Sequence, residues 1–276
     1  MSLTICSINS GSNGNCYYVG NETEAVIIDA GLTCRETEKR MKRAGLLMEK
    51  VKAIFISHEH GDHIKGVEVL SAKHKLPVYI TEGTLRHSRL KLDKERTMPL
   101  DAYQKVYIGG LTIHTFPKFH DAADPHSFVI EGNGVKIGVL TDIGSVCKHV
   151  VEHFKQCHAA FLEANYDDEM LEKGRYPYHL KKRIQGDEGH LSNKQALDLF
   201  RQYKPVYMSH LLLSHLSKDN NSPKLALDTF RAYAGNTHVV VASRDEESAV
   251  YHVTTSEIKA PVIRIRPAKS QQISLF

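Results

Sequence analysis

The chain has 276 residues, of which 41% are hydrophobic and 25% charged, so a buried core is feasible and wholesale disorder is excluded. The length fits one or two domains, and α/β folds of this size often form one unit. Lys plus Arg number 36 against 32 for Asp plus Glu, a balance that permits a polyanionic substrate without requiring one.

Short runs rich in Val and Ile at residues 3–8, 15–19 and 25–29 read as successive strands, bounded by turns such as Asn13-Gly14 and Gly20-Asn21. Thr33 opens a helix, with Glu36 three residues on and Gly45 as its stop. Residues 51–57 form a buried strand that runs directly into His58-Glu59-His60-Gly61-Asp62-His63. A helix from 64 to about 75, a strand over 77–80 and a very basic helix over 83–92 follow. Gly109-Gly110 and Gly132-Asn133-Gly134 mark two hairpins. After Gly144 the pattern turns helical, 159–163 is a strand, and the polar stretch 164–190 is a long loop with some helix. Ser192 and Gln195 form a capping box for a helix to about Tyr203, and 206–213 is a strand. Ser222-Pro223 starts another helix, and strands over 238–242 and 249–253 close a domain spanning 1–254. Residues 255–276 read as a tail. This order predicts an α/β (α+β) fold of two mixed β-sheets with helices on the outer faces rather than a doubly wound parallel sheet.

No run approaches the roughly 18 apolar residues of a membrane helix, and the first five residues lead into no signal sequence. Five cysteines, an odd number without Cys-x-x-Cys spacing, predict reduced thiols in a cytoplasmic protein. The unusual count is histidine, at 17.

His58, His60, Asp62 and His63 place four ligand-type side chains within six residues, immediately after a strand. A strand that delivers into a tight turn at Gly61 lets them converge, whereas positions two apart diverge on a helix. Clustered imidazole and carboxylate donors are what a divalent metal requires.

This motif resembles that of the metallo-β-lactamase superfamily, and the likeness covers nearly the whole folded chain, implying an αββα sandwich. Asp29-Ala30-Gly31 matches the early Asp that stabilises the metal loop. His120, Asp142 in Leu140-Thr141-Asp142, and His215 in Leu213-Ser214-His215 match the remaining ligands. His210 is a nearby rival, assigned to structure because it lies within the strand. Carried over, His58, His60 and His120 would bind one metal and Asp62, His63 and His215 a second, with Asp142 between them. The resemblance therefore implies two divalent ions, and Zn, Mn and Fe all suit such ligands.

Three further stretches are similar to the YycJ/WalJ-type branch of these hydrolases, whose members are regarded as exonucleases acting on DNA. They are residues 10–16 (Ser-Gly-Ser-Asn-Gly-Asn-Cys), 189–193 (Gly-His-Leu-Ser-Asn) and 215–221 (His-Leu-Ser-Lys-Asp-Asn-Asn). The chain lacks both the inserted cap domain of the β-CASP enzymes and the long arm with which tRNase Z grips tRNA. By the same resemblance His190 occupies the position of a general acid near the leaving group and Glu163 that of its carboxylate partner, so Asp62, His190 and Glu163 are the catalytic candidates. Two metals about 3.5–4 Å apart can hold a bridging hydroxide and polarise a phosphoryl oxygen. The expectation is a phosphodiester hydrolase, an exonuclease on DNA in replication or repair; the alternative is a small-molecule phosphodiesterase, thioesterase or lactonase on the same fold. A structural metal site fits poorly, because such sites close with four ligands.

Ser10, Ser12, Asn13 and Asn15 are candidate substrate contacts. Two segments are dense in positive charge: Arg86, Arg89, Lys91, Lys94 and Arg96 in one, Lys173, Arg175, Lys181, Lys182 and Arg183 in the other. The second interleaves Tyr176 and Tyr178, which suits phosphate tracking and base stacking, so Lys181 and Arg183 are candidate DNA contacts. The last five residues, Gln272-Ile273-Ser274-Leu275-Phe276, resemble the pentapeptide by which bacterial replication and repair proteins hold the sliding clamp. Leu275 and Phe276 would enter a hydrophobic pocket while Gln272 hydrogen-bonds at its rim. The alternative is a terminal strand packed on the body.

Overall fold

Alternation along the strands decides the layering. Val26 and Ile28 enter one core and their neighbours Ala25 and Ile27 another, as the two-residue period of an extended chain requires. The structure, a computed structural model, describes residues 2–255; Gln272, Leu275 and Phe276, the expected clamp contacts, lie outside the described residues.

The chain first lays down β1 (Ser2–Asn9), β2 (Cys16–Gly20), β3 (Ala25–Ile28), β4 (Val51–Phe55), β5 (Val78–Ile80) and β6 (Thr97–Pro99). It then builds a second sheet from β7 (Lys105–Ile108), β8 (Leu111–Pro117), β9 (His126–Gly132), β10 (Val135–Leu140), β11 (Ala159–Glu163), β12 (His210–Ser214) and β13 (His238–Val241). A last strand, β14 (Tyr251–Thr254), returns to pair with β1. The sheet orders are β14-β1-β2-β3-β4-β5-β6 and β13-β12-β11-β10-β9-β8-β7. Each is mixed: pairing is antiparallel up to β2-β3 and parallel from β3-β4 to β5-β6, and it is parallel from β13 to β10 and antiparallel from β10 to β7.

The helices are α1 (Cys34–Arg43), α2 (Gly61–Ile64), α3 (Val67–His74), α4 (Glu82–Ser88), α5 (Lys148–Phe154), α6 (Asp168–Lys173), α7 (Tyr178–Gln185), α8 (Asn193–Tyr203) and α9 (Pro223–Arg231). Ile5, Tyr17, Phe55, Phe128 and Phe161 fill the space between the sheets. Met41 of α1 and Leu70 of α3 cover the outer face of the first sheet, and Phe154, Phe200 and Phe230 of α5, α8 and α9 cover that of the second. The result is the αββα sandwich, and no helix among the described residues is long and apolar enough to cross a membrane.

Local departures from expectation have local causes. The helix expected over 64–75 is two, because the chain kinks at Gly66, whose N–H bonds to Ala30 O at 2.7 Å. A Cβ there would stand 1.9 Å from Leu32 O, so only glycine permits that approach. The basic helix stops at Ser88, since Arg89 turns left-handed, and β6 was not anticipated in so polar a stretch. Two short helices, α6 and α7, occupy most of the loop expected over 164–190. Strand β12 begins at His210 rather than at 206. His210 thus starts the strand that His215 follows, packed against His238 and Tyr251 at the far end.

Candidate metal centre

Five of the seven ligand candidates are buried and His60 and Asp62 are half-buried, and they meet where β3 and β4 of one sheet face the carboxyl ends of β10, β11 and β12 of the other. The hexapeptide after β4 does not converge through a turn alone. His58 and His60 come from extended chain, His60 caps α2, and Asp62 and His63 lie in that helix's first turn. Neighbouring helical positions are about 100° apart, and here Asp62 and His63 both reach His215, so the expected contrast between turn and helix is corrected.

Second-layer contacts set each ring. Asp29, left-handed at φ 58°, accepts from Ser57 N at 2.8 Å, Ser57 Oγ at 2.7 Å and His63 Nδ1 at 2.8 Å. That leaves His63 Nε2 facing inward, 3.3 Å from Asp142 Oδ2 and 3.5 Å from Asp62 Oδ2. His58 Nδ1 meets Ser57 Oγ at 2.9 Å, and His120 Nδ1 donates to Gly189 O at 3.0 Å. His60 Nδ1 lies 3.1 Å from His58 Nε2 and 3.3 Å from His120 Nε2. A ring whose other nitrogen is so held has its tautomer and orientation decided in advance.

Gly31 supports this loop from beneath. A Cβ at that position would stand 1.7 Å from Asp62 O, so the Asp-Ala-Gly segment needs its glycine for close backbone approach.

Asp142 and His215 are also left-handed, at φ 54° and 55°. Non-glycine residues tolerate this region at a cost and collect at functional sites. Asp142 Oδ2 and His215 Nε2 are buried without a hydrogen-bond partner among the described residues, although buried polar atoms nearly always have one. Each lies in a candidate ligand set, where a cation would satisfy it. The candidate donor atoms fall into overlapping sets, each within 4.8 Å: His58, His60 and His120; Asp62, His63 and His215; His58, His63 and Asp142; and Asp142, Glu163, His190 and His215. The residues therefore fit a metal centre, with Asp142 shared.

The electrostatics agree. Burial disfavours a charged imidazole at His215, but Asp142, Asp62 and Glu163 outweigh it and push the ring up to about 10. His63 is likewise raised against burial by Asp142, Asp62 and Asp29. Burial would raise the Asp142 carboxyl, yet His215 and His63 hold it well below the usual range. Negative charge is in place, and a metal would displace ring protons.

Within the last of these sets, His190 Nδ1 lies 2.7 Å from Glu163 Oε1 and 3.9 Å from Asp142 Oδ1. Glu163 is fully buried and also accepts from Ile143 N at 2.7 Å and Leu191 N at 3.2 Å. Burial works to raise its carboxyl, but His190 and a hydrogen bond from His215 hold it at about 2. Glu163 is thus a charged hub, while His190 is only partly buried.

The candidate substrate contacts separate into two groups. Ser10 and Asn15 are buried: Ser10 Oγ accepts from His215 N at 2.7 Å, and Asn15 Nδ2 bridges Asp62 Oδ2 and His63 Nε2, each at 3.0 Å. Both brace ligands; the assignment of Asn15, which is fully buried, as a substrate contact is corrected, while Ser10 also lines a neighbouring cavity. Ser12 and Asn13 are exposed. Arg183 is exposed and pairs with Asp121, whose Oδ1 lies 3.5 Å from His120 Nε2, while Lys181 Nζ donates to Glu172 O.

Lys118 went unnoticed in the sequence. Its ammonium is buried, donates to Thr141 O at 2.7 Å and balances Asp142, Asp29, Glu163 and Asp62. Parity was the available signal: Phe116, Lys118 and His120 point inward by twos, while Phe119 is 53% exposed.

The family described as the beta-lactamase superfamily domain matches residues 24–216. An exodeoxyribonuclease YycJ of Bacillus anthracis is 36% identical over 229 residues, covering 82% of this chain and 87% of the relative. An exodeoxyribonuclease WalJ of Streptococcus pneumoniae is 32% identical over 222 residues, covering 79% and 82%. Among solved structures, the metallo-β-lactamase fold protein YhfI of Bacillus subtilis superposes with a TM-score of 0.71 at 16% identity, over 91% of this chain and all of that one. The chain belongs to the metallo-β-lactamase superfamily and is a hydrolase of its YycJ/WalJ-like branch.

Proposed function

We propose that the protein is a dinuclear-metal-dependent DNA exonuclease. The observation that carries this reading is the sharing of Asp142 between two ligand sets, one of which includes the His190–Glu163 pair at 2.7 Å. The two metals, when bound, would supply an activated water and polarise the phosphoryl oxygen. Asp62, partly open to solvent and steadied by Asn15, orients the attacking side. His190, aligned by the charged Glu163, gives its proton to the leaving oxygen. Lys118 keeps the surrounding carboxylates from repelling one another.

DNA is favoured over a small ester by the relatives' names and by the flanks of the His120 loop. Arg183 of α7 pairs with Asp121 on one side, and Thr84 of α4 bonds Asp124 O at 3.2 Å on the other, so a helix from each basic segment touches the loop that carries His120. Phe119 offers an exposed ring for base stacking there. End-labelled duplex DNA, tested beside small model esters and phosphodiesters with Mn²⁺ and with Zn²⁺, decides the matter. A ladder or a mononucleotide product lost on chelation supports the proposal; cleavage of the small substrates alone overturns it.

The tail extends the reading to a partner. Through Gln272, Leu275 and Phe276 it would tether the enzyme to a sliding clamp on DNA in the cytoplasm and raise its local concentration there. A peptide of residues 267–276 should bind the cognate clamp with roughly micromolar affinity. Leu275→Ala with Phe276→Ala should abolish that binding and leave the melting temperature in place; a large loss of stability without clamp binding would favour the packed strand.

A further inference from the structure

A cavity of about 300 Å³ opens one element away from the ligand set. Its walls are the loops after β12 and β13, at the carboxyl ends of parallel strands, where open α/β sheets take their ligands. Leu216, Pro223, Val241 and Ala242 form an apolar floor, and Lys218 and Arg244 stand on the wall with Asp245. Neighbouring strands lie about 5 Å apart, so the cavity sits roughly one strand spacing from the strand that delivers His215.

Two features show that the cavity is built. Arg244 Nη1 is buried without a hydrogen-bond partner among the described residues, which leaves a desolvated donor short of an acceptor. The backbone that carries it is pinned to the ligands: Ser10 N donates to Ser243 O at 3.0 Å, Asn13 Nδ2 donates to Arg244 O at 2.7 Å, and Ser10 Oγ accepts from His215 N at 2.7 Å. Nearby, Tyr176 occupies Asp219 by a hydrogen bond of 2.9 Å, so that carboxylate is already engaged.

From this arrangement we infer that the cavity is a subsite for the terminal nucleotide of the strand being degraded, its base and sugar on the apolar floor and its phosphate on Arg244 and Lys218. The inference rests on the nuclease reading and deepens it: the enzyme would grip the end of a strand beside the scissile bond, which is what separates an exonuclease from a general phosphodiesterase.

The probe is deoxyadenosine 5′-monophosphate, titrated into the metal-loaded full chain and followed by calorimetry and NMR. Saturable binding below about 1 mM is expected, with shifts at Leu216 and Val241. Arg244→Gln should weaken it about tenfold or more, as loss of a charged hydrogen bond does, and Arg244→Lys should recover part of the loss. If Arg244→Gln fails to fold by circular dichroism, Lys218→Gln, on an exposed residue, tests the same phosphate contact and should weaken binding about threefold or more. Absence of saturable binding, or binding indifferent to these changes and lost in His63→Ala, places the nucleotide on the metals and overturns the subsite. End-labelled DNA run with the same preparations separates the two claims. Cleavage without nucleotide binding sinks the subsite alone, and nucleotide binding without cleavage sinks the nuclease reading.

Discussion

The two sheets contribute to the metal centre in opposite ways. The first delivers His58, His60, Asp62 and His63 from one continuous hexapeptide after β4, braced by Asp29 and by the close backbone of Gly31. The second delivers its residues singly from separate segments: His120 beyond β8, Asp142 beyond β10, Glu163 at the end of β11 and His215 beyond β12. A ligand set on one loop stands or falls with that loop's backbone. A set spread over four strand ends is held by the sheet, and one member can be lost while the others stay in place.

The sharpest way to break the comparison is Gly31→Ala. The new Cβ would collide with Asp62 O, so the whole hexapeptide must move. Metal content and activity should both fall to the level of the chelated protein while circular dichroism keeps its native shape; full metal occupancy in this variant would refute the bracing role.

On the other sheet, His190→Ala should retain the metals and lower turnover by a factor on the order of 10²–10⁴. Metal analysis beside the rate on a nuclease substrate reads both quantities. Lost metal would make His190 a ligand, and an unchanged rate would make it structural.

A milder cut on the first side is Asp29→Asn, which weakens the hold on His63 Nδ1 without adding bulk. Affinity for metal should fall about 10–100-fold, with turnover largely restored at saturating metal. Metal titration against a competing chelator would show it, and an unaltered affinity would count against the hydrogen bond's importance.

The smallest effect belongs outside both sheets. Lys181→Glu with Arg183→Glu should weaken DNA binding and reduce the slope of log affinity against log salt by about one to two units. The Arg183–Asp121 pair must be broken for Arg183 to reach phosphate, so Lys181 is expected to carry the larger share. Equal salt dependence of variant and parent would remove α7 from the DNA path.

The same contrast explains how far the sequence could be read. The hexapeptide was legible because its donors are contiguous and follow a buried strand. Most strand positions were legible from Val/Ile runs and glycine turns, and α8 from the Ser192 and Gln195 capping box, which the structure contains in full. The kink at Gly66 was not, because its cause is Leu32 O, more than thirty residues earlier in the chain. Ser10 and Asn15 were expected to contact substrate, and only their burial against His215, Asp62 and His63 shows them to be braces. Lys118 was missed because a lone lysine after a strand is ordinarily solvated; four carboxylates from other segments make its burial tolerable.

By itself, the sequence determined which side chains could serve: an imidazole and carboxylate set suited to divalent metals, on strands patterned for two buried faces. It could do so because donor chemistry is local and side-chain period follows from backbone geometry. Tertiary structure alone decided which of the 17 histidines share one space, which nitrogen of each faces inward, and which buried atoms lack partners. Those properties depend on distances between segments remote along the chain, and only the stacking of the two sheets sets them.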